Sequence, residues 1–253
     1  MTTDITKVLR QEYDALSRHY TILGVFLCGS QNYGLATEES DIDTKIIIAP
    51  SFRDLIFEAP VSRTVALDCG ECDVKDIREM IKNYKKQNVN FIETLFTDYR
   101  LLSPGFKYAF DELYARREQI AHMDERRAVR AMAGLVDQSF RRMLTETDKK
   151  VEDIREYGYH RKNLMNCVKA AAMLDKYIAG EKYEAVLDCS KYAHLRSSIL
   201  PSSKAIQMAE ELMQRSKDMA DIYIKERNPQ PDKKLSVWLD NWLYDLIRGC
   251  VEY

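Results

Sequence analysis

The sequence lacks the features of a secreted or membrane-embedded protein. Its first twenty residues contain no apolar run of the kind that a signal peptide requires. The longest apolar runs, Val25–Cys28 and Ile46–Ala49, are far too short to cross a bilayer. Six cysteines are scattered through 253 residues, a chain too large to depend on disulfide bonds. We therefore expect a cytoplasmic protein with no membrane partner.

The chain also lacks an excess of positive charge and the common metal-binding motifs. Its formal net charge is -2, so a surface that coats nucleic acid in general is not expected, and any such contact must be local. The four histidines show no metal-ligating spacing. Cys69 and Cys72 form a C-x-x-C pair without a second pair at zinc-ribbon spacing, and we interpret them as two buried thiols.

Helix and strand patterns are mixed over the first hundred residues, and the rest of the sequence is helical. Residues 4–19 have helical spacing, and β-branched apolar runs predict strands. The predicted strands cover residues 21–28, 43–49 and 64–74, and the predicted later helices cover 104–120, 124–147, 159–179, 203–226 and 233–251. We predict an α+β fold, with a catalytic domain over residues 1–102 and an all-α helical domain over residues 103–253.

Two short patterns in the first hundred residues carry chemistry. Gly29-Ser30 follows the first strand, and such a turn allows a nucleotide's phosphates to approach backbone N–H groups closely. Asp41 and Asp43 follow after a spacer of ten residues, at the start of the second strand, where alternation would put both carboxylates on one face. Two such carboxylates repel unless a cation lies between them, and a hard divalent ion such as Mg²⁺ or Mn²⁺ prefers oxygen ligands.

The segment GSQNYGLATEESDIDTKIII resembles the signature of the polymerase-beta nucleotidyltransferase superfamily. Within that superfamily, the form G-S-x-x-Y-G-L-x-x-x-x-S-D-x-D is similar to a bacterial and phage group named for its association with RNA-repair operons. Two later segments, Asn90–Phe96 and Gly158–Lys162, resemble further elements of the same group. The likeness runs from about residue 22 to residue 180. It implies a polymerase-beta-type core made of a mixed β-sheet with flanking helices.

The resemblance also implies roles for individual carboxylates. Asp41 and Asp43 would hold Mg²⁺ or Mn²⁺ ions that bridge the phosphates, and a third acid would activate the acceptor hydroxyl. Asp73 is the favoured third catalytic and metal-binding acid, and Glu71 on the same strand face is the alternative. An ordinary helix-capping role for Asp73 also stays open.

Other residues are implied to bind the nucleotide, namely Gly29, Ser30, Tyr33 and Lys162. Lys162 would contact the triphosphate, although a solvated helix position explains it equally well. The sequence departs from the group after this lysine, since Asn166 and Lys169 stand where a histidine and an arginine are usual.

One more motif has two readings. Asn90 and Glu93 fit a capping box, with a supporting role near the cleft as the alternative.

The implied activity is the transfer of a nucleoside monophosphate from an NTP, such as ATP, to an acceptor hydroxyl, with release of pyrophosphate. An RNA end is the acceptor that the operon association favours, and a protein side chain or a small molecule stays open. A non-catalytic, antitoxin-like nucleotide-binding partner is the alternative from another functional class. The sequence leaves the oligomeric state open.

Overall fold

The computed structural model describes residues 4–38, 40–146 and 151–251. Over these residues it contains twelve α-helices and five β-strands. The helices are α1 (Ile5–Leu16), α2 (Phe52–Ile56), α3 (Ile77–Lys85), α4 (Val89–Ile92), α5 (Lys107–Ala115), α6 (Arg117–Ala121), α7 (Glu125–Leu144), α8 (Val151–Tyr157), α9 (Arg161–Ile178), α10 (Tyr183–Leu187), α11 (Ser202–Arg227) and α12 (Lys233–Val251). The strands are β1 (Ile22–Cys28), β2 (Asp43–Ile48), β3 (Ser62–Leu67), β4 (Gly70–Asp76) and β5 (Arg100–Leu102). The predicted α+β class is confirmed.

The five strands form one mixed sheet in the order β3-β4-β2-β1-β5. Strand β2 is antiparallel to β1 and parallel to β4, and the edge strands β3 and β5 are antiparallel to their neighbours. Every residue of β1 is buried, and every residue of β2 is buried except the first, Asp43. Asp43 therefore marks the place where a central strand meets the surface.

The two faces of the sheet have different neighbours. Helix α1 covers one face, where Leu9 and Leu16 pack with Val25, Ile46 and Val74 in an apolar core. Side chains that alternate with these residues along the strands point to the other face, which carries charged groups at its centre. The sheet thus has one apolar face under α1 and one face available for chemistry.

The predicted strand over residues 64–74 is wrong as a single element. The segment is a hairpin in which β3 and β4 pair antiparallel, with Leu67 opposite Gly70. Gly70 has φ 136°, a backbone conformation that side chains rarely adopt, and it completes the turn at Asp68–Cys69. On its other side β4 pairs in parallel with β2, so that Glu71 and Asp73 come from the strand next to Asp43.

By its contacts the chain divides into two compact units. The first contains the described residues up to Asn32, then Ala36–Asp124, and the chain from Pro231 onward; the second contains Tyr33–Leu35 and Glu125–Gln230. In the first unit, Trp242 of α12 lies edge-on to the ring of Phe110 and donates its indole N–H to the carbonyl of Ala109 at 3.0 Å. In the second, α7, α9 and α11 pack around a common core. These contacts group α5, α6 and α12 with the sheet, whereas the predicted domain boundary lies at residue 102. That this boundary separates two functional domains stays a prediction.

No helix in the described ranges combines the length and the apolar character that crossing a bilayer demands.

A buried carboxyl group lies on the α1 side of the sheet. Glu12 is 1% exposed, and its Oε1 accepts a hydrogen bond of 2.9 Å from the hydroxyl of Thr44, the residue after Asp43. Its other oxygen is buried and has no hydrogen-bond partner among the described residues. Burial raises the pKa of Glu12 to about 7, against the lowering effect of the Thr44 hydrogen bond. In the folded protein, Glu12 is therefore mainly protonated below about pH 7.

Replacing Glu12 with Gln should remove a pH-dependent cost of folding. Because the folded pKa lies above the unfolded value of 4.5, wild-type stability is full below about pH 4.5 and falls as the pH rises through 7. We expect the Gln variant to gain up to about 3 kcal/mol relative to wild type between pH 5 and pH 8. Urea unfolding at both pH values measures this gain. Asp14→Asn on the exposed side of α1 is the control, and an equal pH dependence in wild type and Glu12→Gln would contradict the assignment.

Candidate active site

A cavity of about 460 Å³ opens on the charged side of the sheet. It is lined from β1, β2 and β4 and from the segment that includes α4, and its volume is in the range of small-molecule sites. Its lining includes Gly29, Asp43, Lys45, Asp73 and Glu93. The structure therefore brings the predicted glycine turn and two of the predicted acids to one cavity.

Gly29 and Asp43 are in close contact where β1 ends and β2 begins. The two strands pair Cys28 with Asp43, and the next residue, Gly29, turns with φ 76°. A Cβ atom at Gly29 would lie 2.5 Å from Oδ2 of Asp43, closer than any side chain tolerates. Only glycine satisfies both the left-handed backbone and this close approach.

Glu93 stabilises the same turn through hydrogen bonds. Its carboxylate is 2% exposed and accepts hydrogen bonds of 3.1 Å from the backbone N–H of Gly29 and from the side-chain amide of Asn32. The Gly29 N–H is thus engaged by Glu93, and the nucleotide-binding role of Gly29 stays a prediction. The predicted Asn90–Glu93 capping box is wrong, because Asn88 caps α4 and its side chain accepts from the N–H of Asn90.

Asp73 and Glu71 lie on the same face of β4, and both line the cavity. Asp73 is half-buried; its Oδ1 accepts a hydrogen bond of 2.8 Å from the hydroxyl of Thr64 and lies 3.9 Å from Nζ of Lys75. Glu71 is exposed. The capping role considered for Asp73 belongs to Asp76, whose side chain accepts from the N–H of Arg78 at the start of α3. Either acid remains available as the third carboxylate.

Asp41 lies outside this arrangement. Strand β2 begins at Asp43, so strand alternation does not fix the direction of the Asp41 side chain, contrary to the expectation of one shared strand face. Asp41 is exposed, and it is not among the described residues that line the cavity. A closed turn precedes it, in which the hydroxyl of Ser40 accepts from the N–H of Thr37 at 2.8 Å. Its role as a metal ligand stays a prediction.

The carboxylates suit a hard divalent ion in their chemistry. Asp43, Glu71 and Asp73 offer oxygen donors to one cavity, and these are the ligands that Mg²⁺ and Mn²⁺ prefer. In the described ranges, however, no three side chains of Asp, Glu, His or Cys are gathered closely enough to hold an ion together. The donor set fits the metal in type, and the ligands are not preassembled.

Lys45 lines the cavity, and the sequence patterns did not predict it as a site residue. It lies on β2 two residues after Asp43, is 9% exposed, and its ammonium is 5.4 Å from the centre of the Phe91 ring. Burial acts to lower the pKa of Lys45, but the neighbouring charges, Glu93 and Asp73 among them, raise it above the ordinary lysine value. The signal in the sequence is a lysine within the apolar run DTKIII, where a cation needs an anionic partner.

The remaining nucleotide-binding candidates are distributed between the units. Ser30 lies in a 3-10 turn over Gly29–Gln31 in the first unit, and it is half-buried. Tyr33 belongs to the second unit, where its ring is buried and the ammonium of Lys169 lies 4.0 Å from its centre. Lys162 is exposed on α9 of the same unit. The nucleotide-binding roles of Ser30, Tyr33 and Lys162 stay predictions.

Comparison with known proteins gives little beyond these observations. No family model matches the sequence, and no curated protein matches it. One solved structure, a nucleotidyltransferase-like protein from Exiguobacterium sibiricum 255-15, is similar over 97% of this chain and 92% of that chain, with a TM-score of 0.35 and 11% identity.

Replacing Gly29 with Ala should disrupt the site and destabilise the fold. The added methyl group would collide with the Asp43 carboxylate, and the left-handed backbone would be strained. We expect a loss of about 1–3 kcal/mol in the free energy of unfolding, measured by urea denaturation. The matched control is Gly134→Ala in α7, where a Cβ atom meets nothing within 4 Å and should stabilise the helix by up to about 1 kcal/mol. Equal stability of Gly29→Ala and wild type would contradict the packing described.

Proposed function

We propose that this protein is a metal-dependent nucleotidyltransferase, which transfers a nucleoside monophosphate from an NTP to an acceptor hydroxyl and releases pyrophosphate. One observation carries the proposal. The carboxylate of Asp43 packs on Gly29 in the same cavity that receives Glu71 and Asp73 from the neighbouring parallel strand. A glycine turn with acids from two adjacent strands supplies what phosphoryl chemistry needs, which is close backbone approach and oxygen ligands.

Asp41 and Asp43, with Asp73 or Glu71, would hold Mg²⁺ or Mn²⁺. Such an ion, when bound, neutralises the charge that develops on the transferred phosphoryl group. The chain itself provides the other elements. Glu93 fixes the turn at Gly29 by accepting its N–H, and the Thr64 hydroxyl orients the carboxylate of Asp73. An oriented carboxylate of this kind is suited to accept the proton of an acceptor hydroxyl.

The nucleotide and the acceptor belong to the proposal as well. Gly29, Ser30, Tyr33 and Lys162 would contact the nucleotide, as the resemblance in the first motif and in the Gly158–Lys162 element implies. We take an RNA end as the acceptor, again because the resembled group is associated with RNA-repair operons. A protein side chain or a small molecule as acceptor is an outcome that the assay below separates.

Replacing Asp43 with Asn should abolish transfer without unfolding the protein. We expect the rate to fall by at least about 10²-fold, because the charge that would bind the ion is lost. The measurement uses each of the four labelled NTPs with Mg²⁺ or Mn²⁺, and it follows label on RNA, label on the protein and pyrophosphate release. Asp111→Asn, in an exposed ion pair with Lys107 on α5, is the control and should be as active as wild type.

No metal-dependent release of pyrophosphate by the wild type with any of the four NTPs would contradict the proposal. Tight NTP binding without turnover, together with a stoichiometric protein partner, would instead support the non-catalytic alternative.

The third acid can be identified by comparing Asp73→Asn with Glu71→Gln. Asp73 is oriented by Thr64 and faces Lys45 across the parallel strand pair, whereas Glu71 is exposed. We therefore expect Asp73→Asn to lower kcat by at least about 10²-fold and to change the acidic limb of the pH–rate profile. Glu71→Gln should keep that limb and lose less than about tenfold. The reverse order of effects would assign the role to Glu71.

A further inference from the structure

We propose that Lys45 is a positioning residue whose fixed positive charge keeps the carboxylate site from binding a divalent ion tightly until the nucleotide arrives. The inference deepens the proposed function and rests on it for its biological meaning.

The position of Lys45 follows from the sheet. In the strand register, Lys45 pairs with Phe26 of β1 on one side and with Asp73 of β4 on the other. Because side chains alternate along a strand, Lys45 and Asp43 point to the same face, and both line the cavity. The ring of Phe91 lies 5.4 Å from the ammonium. The charge therefore lies in the lining of the cavity, on a side chain that is only 9% exposed.

The surroundings of the ammonium are anionic. Glu93 and Asp73 both interact with it electrostatically, and the Cys28 side chain forms a hydrogen bond with it. Lysines are almost never fully buried unless they are paired, since removing an ammonium from water is costly. Lys45 and these carboxylates thus stabilise one another, and the site contains a monovalent cation built into the sheet.

A fixed cation among the carboxylates opposes the entry of a second cation. Charges a few ångströms apart in a partly buried site interact strongly, so the ammonium must weaken the binding of a free divalent ion. The absence of a preassembled cluster of three acids among the described residues is in keeping with weak binding. An NTP brings a triphosphate with several negative charges, which offset the lysine. The ion and the nucleotide should therefore bind together and only weakly apart.

The test is a titration of the full-length protein with Mn²⁺ alone, followed by electron paramagnetic resonance or calorimetry. Lys45→Met removes the charge and keeps the length of the side chain. We expect it to bind Mn²⁺ at least about tenfold more tightly than wild type. Lys45→Gln keeps a donor for the neighbouring carboxylates and should also bind Mn²⁺ more tightly than wild type. It provides the test if Lys45→Met does not fold.

Two controls complete the experiment. Lys45→Arg retains the charge and should remain within about threefold of wild type in Mn²⁺ affinity. Lys82→Met removes an exposed lysine of α3 that pairs with Glu79, and it should leave the affinity unchanged. A general loosening of the structure would weaken metal binding in the Lys45 variants, whereas the proposal requires it to strengthen.

The outcomes separate this inference from the proposed function. Unchanged or weaker Mn²⁺ binding in a folded Lys45→Met or Lys45→Gln variant overturns the role of Lys45, whether or not the wild type transfers nucleotides. Stronger binding in these variants supports the role of Lys45, even if the wild type is inactive with every NTP. If these variants bind Mn²⁺ more tightly and the wild type is inactive with every NTP, only the proposed function is overturned.

Discussion

The close contact between the Asp43 carboxylate and Gly29 is the constraint on which the site depends. It exists because β1 and β2 pair so that Cys28 lies opposite Asp43 and the chain then turns with a positive φ angle. Glu93 fixes the turn from the buried side through the Gly29 N–H. The parallel neighbour β4 then adds Glu71 and Asp73 to the same cavity. The proposed roles of Asp43, Glu71 and Asp73 depend on this junction of two strands.

Charge is arranged differently on the two sides of the sheet. On the cavity side, the acids are accompanied by a buried cation, Lys45, which interacts electrostatically with Glu93 and Asp73. On the α1 side, no cation among the described residues accompanies Glu12, and burial raises its pKa to about 7. Two consecutive residues of β2 connect the two sides. The Thr44 hydroxyl donates a hydrogen bond to Glu12, while Asp43 lines the cavity. Burial with a counter-charge suits function, whereas burial without one only makes stability depend on pH.

Sequence patterns predicted the elements that depend on local chemistry. The β-branched runs gave β1 and β2, and the apolar stripe of α12 predicted its bounds at residues 233–251. The pattern does not resolve the β3–β4 hairpin, because only two residues, Asp68 and Cys69, separate its strands. The spacing of Glu93 from Asn90 fits a capping box. The cap of α4 is Asn88, however. Lys45 was overlooked, since its partners come from distant parts of the chain and no spacing rule brings them together.

The central claim is that an NTP and a divalent ion meet at Asp43. A crystal structure with Mn²⁺ and a non-hydrolysable NTP, measured for the anomalous scattering of manganese, tests it most directly. We predict manganese bound by the Asp43 carboxylate within the cavity, with the triphosphate beside the turn at Gly29. A nucleotide and ion bound at another surface, with the Asp43 carboxylate still packed on Gly29 and free of metal, would contradict it.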